Sequence, residues 1–282
     1  MVRIGRSTVI VFTMIYFIGC GSGEETTNLP AEERFQLAKQ LFDEQAYLEA
    51  INQFTIITLQ YQGSAYAGDA QFYLGECRFN RGEYLLAAFE YQQLKRNMSA
   101  SPRVPEAQYK LGLSYYNLSP KSTLDQEYTL KAKEELQTFV EYYPGHELAA
   151  DAEAKIAELI QRLAKKEYDT ARYYATWENY KAAIFYYHEV IEKYHDTEYA
   201  PLSYLGKVEA LIARKKYQEA YNEINKFIEL HPNSVLRSQA DKLKESIENE
   251  LQSNPPVSGK ESGRTLGVGN EPGVSSKIGP GH

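Results

Sequence analysis

Cysteine is nearly absent: 282 residues contain two, Cys20 and Cys77. On the reading below that acylates Cys20, Cys77 is left without a partner, so a disulfide framework is excluded. Cys77, inside a helical stretch, reads as small apolar filler rather than a reactive thiol. A long hydrophobic run is also missing. The apolar stretch Val9 to Ile18 is about half the 20 residues that a membrane span requires. No glycine-rich loop is present to cradle a phosphate. Zinc signatures are lacking too: His188, Glu192 and His195 can share a helical face, but no second histidine stands at i+4. That group reads as a solvated face, and Asp125 with Glu127 as a polar loop. With no nucleophile beside a base, neither catalysis nor a metal nor any other cofactor is expected. The formal net charge is −7, from 31 Lys and Arg against 38 Asp and Glu. The basic residues are spread among carboxylates instead of forming a stripe, which excludes nucleic acid as a partner. The run Arg214-Lys215-Lys216 complements a helix C-terminus.

What the chain does have is a repeat. Residues 65–94, AYAGDAQFYLGECRFNRGEYLLAAFEYQQL, read as two antiparallel helices that meet closely at Gly75 and Ala87. A Tyr-x-x-Ala element recurs at Tyr47/Ala50, Tyr84/Ala87, Tyr180/Ala183 and Tyr217/Ala220, and Thr129 replaces the tyrosine in a fifth copy at Ala132. Four and seven residues past each alanine stand Phe54 and Ile57, Tyr91 and Leu94, Leu136 and Phe139, Tyr187 and Val190, and Ile224 and Phe227. That spacing puts both on one helical face. Twelve past it come Gln62, Ser99, Pro144, His195 and Pro232, where proline would stop the helix. Twenty past it, Ala70, Ala107, Ala152, Ser203 and Ala240 open the next one. This is the pattern of tetratricopeptide-type hairpins. The expected fold is all-α, a tetratricopeptide-like α-solenoid of five hairpins and ten helices. Such stacks bury their core between neighbours.

The regular step of 37 residues fails twice. Ala107 and Ala132 are eight residues further apart than Ala70 and Ala87, so a loop extends between Ser119 and Thr129. Ala152 and Ala183 are 14 further apart, about 21 Å of helix. No glycine or proline lies between Gly145 and Pro201. One long helix from about Leu148 to Thr176 is therefore expected to join repeats 3 and 4. The resulting division is repeats 1–3 over 31–147, and the long helix with repeats 4–5 over 148–252.

Residues 1–19 carry Arg3 and Arg6, a short apolar core and a small residue before Cys20, as in a secretory signal peptide. Phe17-Ile18-Gly19-Cys20 resembles a bacterial lipobox, with phenylalanine where leucine is usual. On that reading Cys20 carries acyl chains that hold the protein on a membrane, and 20–30 is a flexible tether. Gly21 favours outer-membrane sorting. The alternative is an ordinary signal peptide with an incidental cysteine. The segment 253–282, dominated by Gly, Pro and Ser and without aromatics, is expected to be disordered.

One surface invites a partner. Three residues before the small positions Ala38, Gly75 and Gly112 stand Phe35, Phe72 and Tyr109; four after them stand Phe42, Phe79 and Tyr116. Two aromatic rows thus repeat down three consecutive first helices, which line the concave face of such a stack. They suit an extended or amphipathic peptide, although packing between hairpins explains the same rings.

In order and content these features resemble the BamD family, lipoprotein subunits of the outer-membrane β-barrel assembly machinery. The lipobox, Ala46-Tyr47-Leu48-Glu49-Ala50, Ser64 to Ala67, the loop with Leu124-Asp125-Gln126, and Leu163 to Tyr174 carry the likeness. It implies a non-catalytic scaffold, lipid-anchored in the outer membrane and facing the periplasm. Its C-terminal repeats would bind the periplasmic domain of the barrel-forming subunit. Its N-terminal groove would receive the terminal strand of client β-barrel proteins, with accessory lipoproteins as further partners. Gln62 and His195 replace prolines expected in the family, and the tail lies outside its pattern. The alternative is another periplasmic repeat lipoprotein, one coordinating cell-wall synthesis or envelope constriction.

Overall fold

The computed structural model describes residues 28–253. Within them are eleven helices and no strand: α1 (Ala31–Asp43), α2 (Tyr47–Gln60), α3 (Ala67–Asn80), α4 (Tyr84–Asn97), α5 (Val104–Leu118), α6 (Glu127–Tyr142), α7 (Ala149–Thr176), α8 (Tyr180–Lys193), α9 (Tyr199–Ala213), α10 (Tyr217–Leu230) and α11 (Arg237–Ser253). Five hairpins pair α1 with α2, α3 with α4, α5 with α6, α7 with α8 and α9 with α10. The eleventh helix, beyond the ten of the five hairpins, is the one opened near Ala240, and it buries Ala240 and Ile247 against α9 and α10. It covers an apolar face that a fifth hairpin would otherwise leave open.

The repeat register is the core register. All five Tyr-x-x-Ala alanines, and the residues four and seven past them, are buried; Tyr187, the most accessible, exposes 4%. Ala70, Ala107, Ala152, Ser203 and Ala240 are fully buried as well. The second helix of every hairpin ends ten residues past its alanine, whether or not proline follows. Tyr61, Met98, Tyr143, Tyr194 and His231 take up the C-cap, each donating its N–H to the carbonyl four residues back. A turn then closes from Ser64 to Tyr61, Ser101 to Met98, His146 to Tyr143, Thr197 to Tyr194 and Ser234 to His231, at 2.9–3.1 Å. The backbone turn, with its polar closing residue, stops the helix, and this is why Gln62, Ser99 and His195 serve as well as proline.

Helix α7 is unbroken over 28 residues. The chain separates into two compact units with the division at 166/167, inside α7. In the first unit Ala152, Ile156 and Leu159 of α7 pack with Tyr109, Leu136 and Phe139. In the second, Tyr168, Ala171 and Tyr174 pack with Ala183 and Tyr187. One helix thus closes the first unit and opens the second.

The loop expected between α5 and α6 spans residues 119–126, and it is ordered by its own hydrogen bonds. Ser122 and Gln126 are buried, and the Gln126 amide donates to the carbonyls of Lys121 and Leu124 at 3.0 and 2.9 Å. Thr129, standing where the other copies have tyrosine, is fully buried. Its hydroxyl donates to Gln126 Oε1 at 2.7 Å and lies 2.6 Å from Ser119 Oγ. Arg162 and Lys166 of α7 hold the carbonyls of Ser119 and Leu124 at 3.0 and 2.9 Å. Cys20, the leader and the segment 254–282 lie outside the described residues. Among the described residues no helix is long and apolar enough to cross a membrane.

Candidate functional site

The face carrying the aromatic rows belongs to the first unit and is built by α1, α3, α5 and the first half of α7. The row of Phe35, Phe72 and Tyr109 is turned into the stack. Phe35 meets Phe54, Tyr66 and Tyr73 at ring-centroid separations of 5.8, 5.3 and 6.2 Å. Phe72, 5% exposed, lies 5.9 Å from Tyr91 with Arg103 over its other side at 5.2 Å. Tyr109, 6% exposed, lies 5.5 Å from Phe139, and its hydroxyl donates to Asp151. Phe72 and Tyr109 offer a partner little more than an edge, whereas Phe35 is half-buried.

The row of Phe42, Phe79 and Tyr116 is half-buried, and each ring is flanked by the residue three past the alanine that opens the next first helix. Tyr73 meets Phe42 edge-on at 5.2 Å, Lys110 sits over Phe79 at 4.9 Å, and Lys155 over Tyr116 at 5.1 Å. Lys39 also covers Phe42, at 5.3 Å. These are cation–π contacts, each on the order of 0.5–1 kcal/mol at a partly exposed site. Carboxylates fix the cations in turn. Lys110 pairs with Glu76 at 2.9 Å, Lys155 with Asp151 at 3.2 Å, and Arg103 with Asp69 and Glu106 at 2.7 and 2.9 Å. Glu76 and Asp151 each accept a tyrosine hydroxyl as well, from Tyr91 and Tyr109.

The electrostatics follow from those contacts. The hydroxyl of Tyr109 and the Lys155 ammonium hold the Asp151 carboxyl below the usual range. Burial and then the Asp151 carboxylate push Tyr109 up, and the Glu158 carboxylate that accepts its hydroxyl does the same to Tyr116. Each stays a neutral phenol donor near neutrality. The face therefore presents ring edges and carboxylate-held lysine and arginine cations, the Tyr109 and Tyr116 protons being already donated to Asp151 and Glu158. It suits a chain that brings aromatic side chains and oxygen acceptors.

The other sequence candidates are placed elsewhere. Helix α8 ends at Lys193, so His195 falls in the following turn; His188 and Glu192 face each other across 3.7 Å on the exposed side. Asp125 Oδ1 accepts the backbone N–H of Glu127 at 2.9 Å, at the entry to α6. Cys77 is fully buried in the first-unit core, and burial pushes its thiol up to about 12. Among the described residues no group of three or more His, Cys, Asp or Glu is placed to hold a metal ion. Sequence reasoning missed the flanking set of Tyr73, Lys110 and Lys155. Its signal was present in the constant offset of three from Ala70, Ala107 and Ala152.

Helical hairpins in a 37-residue step, with an aromatic and cationic face on the first helices, define a tetratricopeptide-type repeat protein. The chain belongs to the YfiO family of outer membrane lipoproteins, whose family model matches residues 27–210. It is 25% identical over 233 residues to the outer membrane protein assembly factor BamD of Rickettsia prowazekii, covering 82% of this chain and 93% of that protein. With the BamD of Caulobacter vibrioides it shares 27% identity over 233 residues, 78% of this chain and 75% of the other. Among solved structures, the tetratricopeptide domain of P58(IPK) is 16% identical, with a TM-score of 0.41 over 80% of this chain and 60% of that one.

Proposed function

We propose that this protein is an outer membrane protein assembly factor. It is a non-catalytic scaffold, anchored through acylated Cys20 in the outer membrane and facing the periplasm. It holds the barrel-forming subunit of the assembly machinery through that subunit's periplasmic domain, and it receives client β-barrel proteins for folding and insertion. Accessory lipoproteins are further partners. The observation that carries the reading is family membership over 27–210 together with the BamD relatives. The first-unit face supports it. A client strand ending in aromatic residues and a carboxylate would lay its rings beside Phe42, Phe79 and Tyr116, and its oxygens toward Lys39, Lys110 and Lys155. The direct test is depletion of the protein in its own cell, followed by quantification of outer-membrane β-barrel proteins and purification of the anchored form. Loss of folded barrels and co-purification of a large β-barrel protein are expected. Normal barrel levels, with wall-synthesis enzymes as the co-purifying species, would overturn the reading.

A further inference from the structure

Glu90, Glu135 and Glu223 occupy one repeat position, three past the alanine of the second helix. Two of them have a lysine. Glu135 Oε2 accepts from Gln108 Nε2 at 2.8 Å and pairs at 3.1 Å with Lys95, which projects from the preceding second helix, α4. Glu223 pairs with Lys207 at 3.1 Å and with Lys226 at 3.3 Å. Glu90 Oε2 accepts the matching amide, Gln71 Nε2, at 2.8 Å, yet no ion pair among the described residues includes it. The place that Lys95 holds in α4, eight past the alanine, is Thr58 in α2.

Where the lysine is missing there is a cleft. About 580 Å³ opens between α2 and α4, lined by Thr58, Leu59, Arg78, Phe89, Glu90 and Met98 among others. The Arg78 guanidinium is committed to Glu83 at 2.8 Å. Burial pushes the Glu90 carboxyl up, and neither Gln71 nor the nearby Arg78 reverses this, the mark of a carboxylate short of a counter-ion. On the rims, Leu59 is 68% and Phe89 54% exposed.

We infer that the α2/α4 cleft is a docking slot for a partner polypeptide that inserts a lysine or arginine side chain against Glu90 and lays flanking apolar residues on Leu59 and Phe89. The lining is mainly polar, with Thr55, Gln62, Gln93 and Asn97 beside the acid, and exposed Leu59 and Phe89 are its apolar contacts; such a cleft is complementary to an amphipathic segment with a basic residue beside apolar ones. A polyamine satisfies the acid but leaves the rims uncovered. An acyl chain covers the rims and leaves the acid unpaired. The slot has Gln71, Leu74 and Arg78 of α3 in its wall beside the α2 and α4 residues, but none of the aromatic-row residues lines it, and it stands independently of the client groove proposed above.

The test uses the full-length protein and hexylammonium, a primary ammonium on an apolar chain two carbons longer than a lysine side chain. Saturable shifts of the Leu59 and Met98 methyl resonances are expected on titration, with affinity about tenfold weaker in Glu90→Gln. Thr58→Lys, which supplies from within what Lys95 supplies to Glu135, is expected to abolish the shifts while the helical spectrum is unchanged. Equal response to hexanol, or tighter binding of spermidine than of hexylammonium, overturns the proposal. A photo-crosslinker at Leu59 in the membrane-anchored chain then identifies the occupant. A basic residue between apolar ones in another polypeptide is expected. No crosslink, or one to lipid, to a second copy of this chain or to residues 254–282, overturns it.

Discussion

Tyr91 packs on Gly75 so closely that a Cβ at residue 75 would lie 2.5 Å from the ring carbon Cε1. The ring is fully buried and its hydroxyl is held by Glu76, so it has no free direction to move. Gly112 meets Leu136 in the same way, with a virtual Cβ 2.7 Å from Cγ and 3.1 Å from the backbone nitrogen.

Gly75→Ala is therefore expected to destabilise the first unit. Alanine gains about 1 kcal/mol in helix propensity, but overpacking costs about 1–3 kcal/mol, leaving a net loss on the order of 1 kcal/mol. Gly112→Ala is expected to lose more, because backbone also stands in the way. Urea midpoints decide the matter; a midpoint at or above wild type for either variant shows that the hairpin does not need the close approach.

The turns inside the hairpins give the opposite prediction. Gln45, Glu178 and Lys215 hold φ of 62°, 56° and 58°, at the place where the second hairpin has Gly82 at 74°. All three are exposed, so glycine there removes left-handed strain without removing a contact. Each single glycine variant is expected to gain about 0.5–1 kcal/mol, and Gly82→Ala to lose a similar amount. Thermal melts of the four variants against wild type check it.

Much of the fold was legible because burial in a stacked hairpin has a fixed period. Ala87, Tyr91 and Leu94 are core for the reason the spacing gives, and so are their four counterparts. What escaped depends on the reach of side chains and not on period. Lys110 and Lys155 look like ordinary surface lysines in one dimension, and only the next helix's proximity sets them over Phe79 and Tyr116. The inserted loop was legible because Ser119-Pro120-Lys121-Ser122 breaks a helix, but its internal order comes from Gln126, Thr129 and the distant Arg162. The aromatic rows were found as one surface, whereas Phe72 and Tyr109 face the core and Phe42, Phe79 and Tyr116 its margin. Helical spacing alone does not distinguish these environments.

Two glutamates at one repeat position should respond oppositely to pH. Burial pushes Glu223 up, but Lys207 and Lys226 together more than reverse this, so its folded pKa lies below the unfolded value. Its stabilisation is present above the ordinary glutamate range, about 4.3, and is lost as pH falls through the lower folded value. Glu223→Gln is expected to cost about 1–3 kcal/mol at pH 7, a difference that closes in acid. Glu90 is raised, so its favourable contribution holds below the unfolded pKa and disappears as pH rises through the folded one. Glu90→Gln keeps an acceptor for Gln71 and is expected to be more stable than wild type at pH 7, with the gap closing as pH falls. Denaturation of both variants between pH 3 and 8 is the measurement, and parallel profiles would contradict the assignment.

Phe72 and Phe79 separate folding from binding. Both lie on α3, one near each end of the face, but Phe72 is enclosed by Tyr91, Tyr73 and Arg103, while Phe79 is a half-buried ring between Tyr84 and Lys110. Phe72→Ala is expected to cost about 3–5 kcal/mol of first-unit stability, enough to mask any direct effect on a partner. Phe79→Ala gives up less burial and a cation–π contact, about 1–2 kcal/mol, and the helical spectrum should survive. If the proposed client groove is used, Phe79→Ala weakens binding of a synthetic peptide carrying the C-terminal strand of a β-barrel protein by about tenfold or more. Lys110→Met, which keeps much of the side chain's bulk and removes the charge, weakens it further only for peptides that retain a free carboxylate. Fluorescence anisotropy at two salt concentrations distinguishes the two contributions, since the ring's share is insensitive to ionic strength and the lysine's is not. Unchanged affinity in both variants, with folding intact, would remove this face from the account of how clients are held.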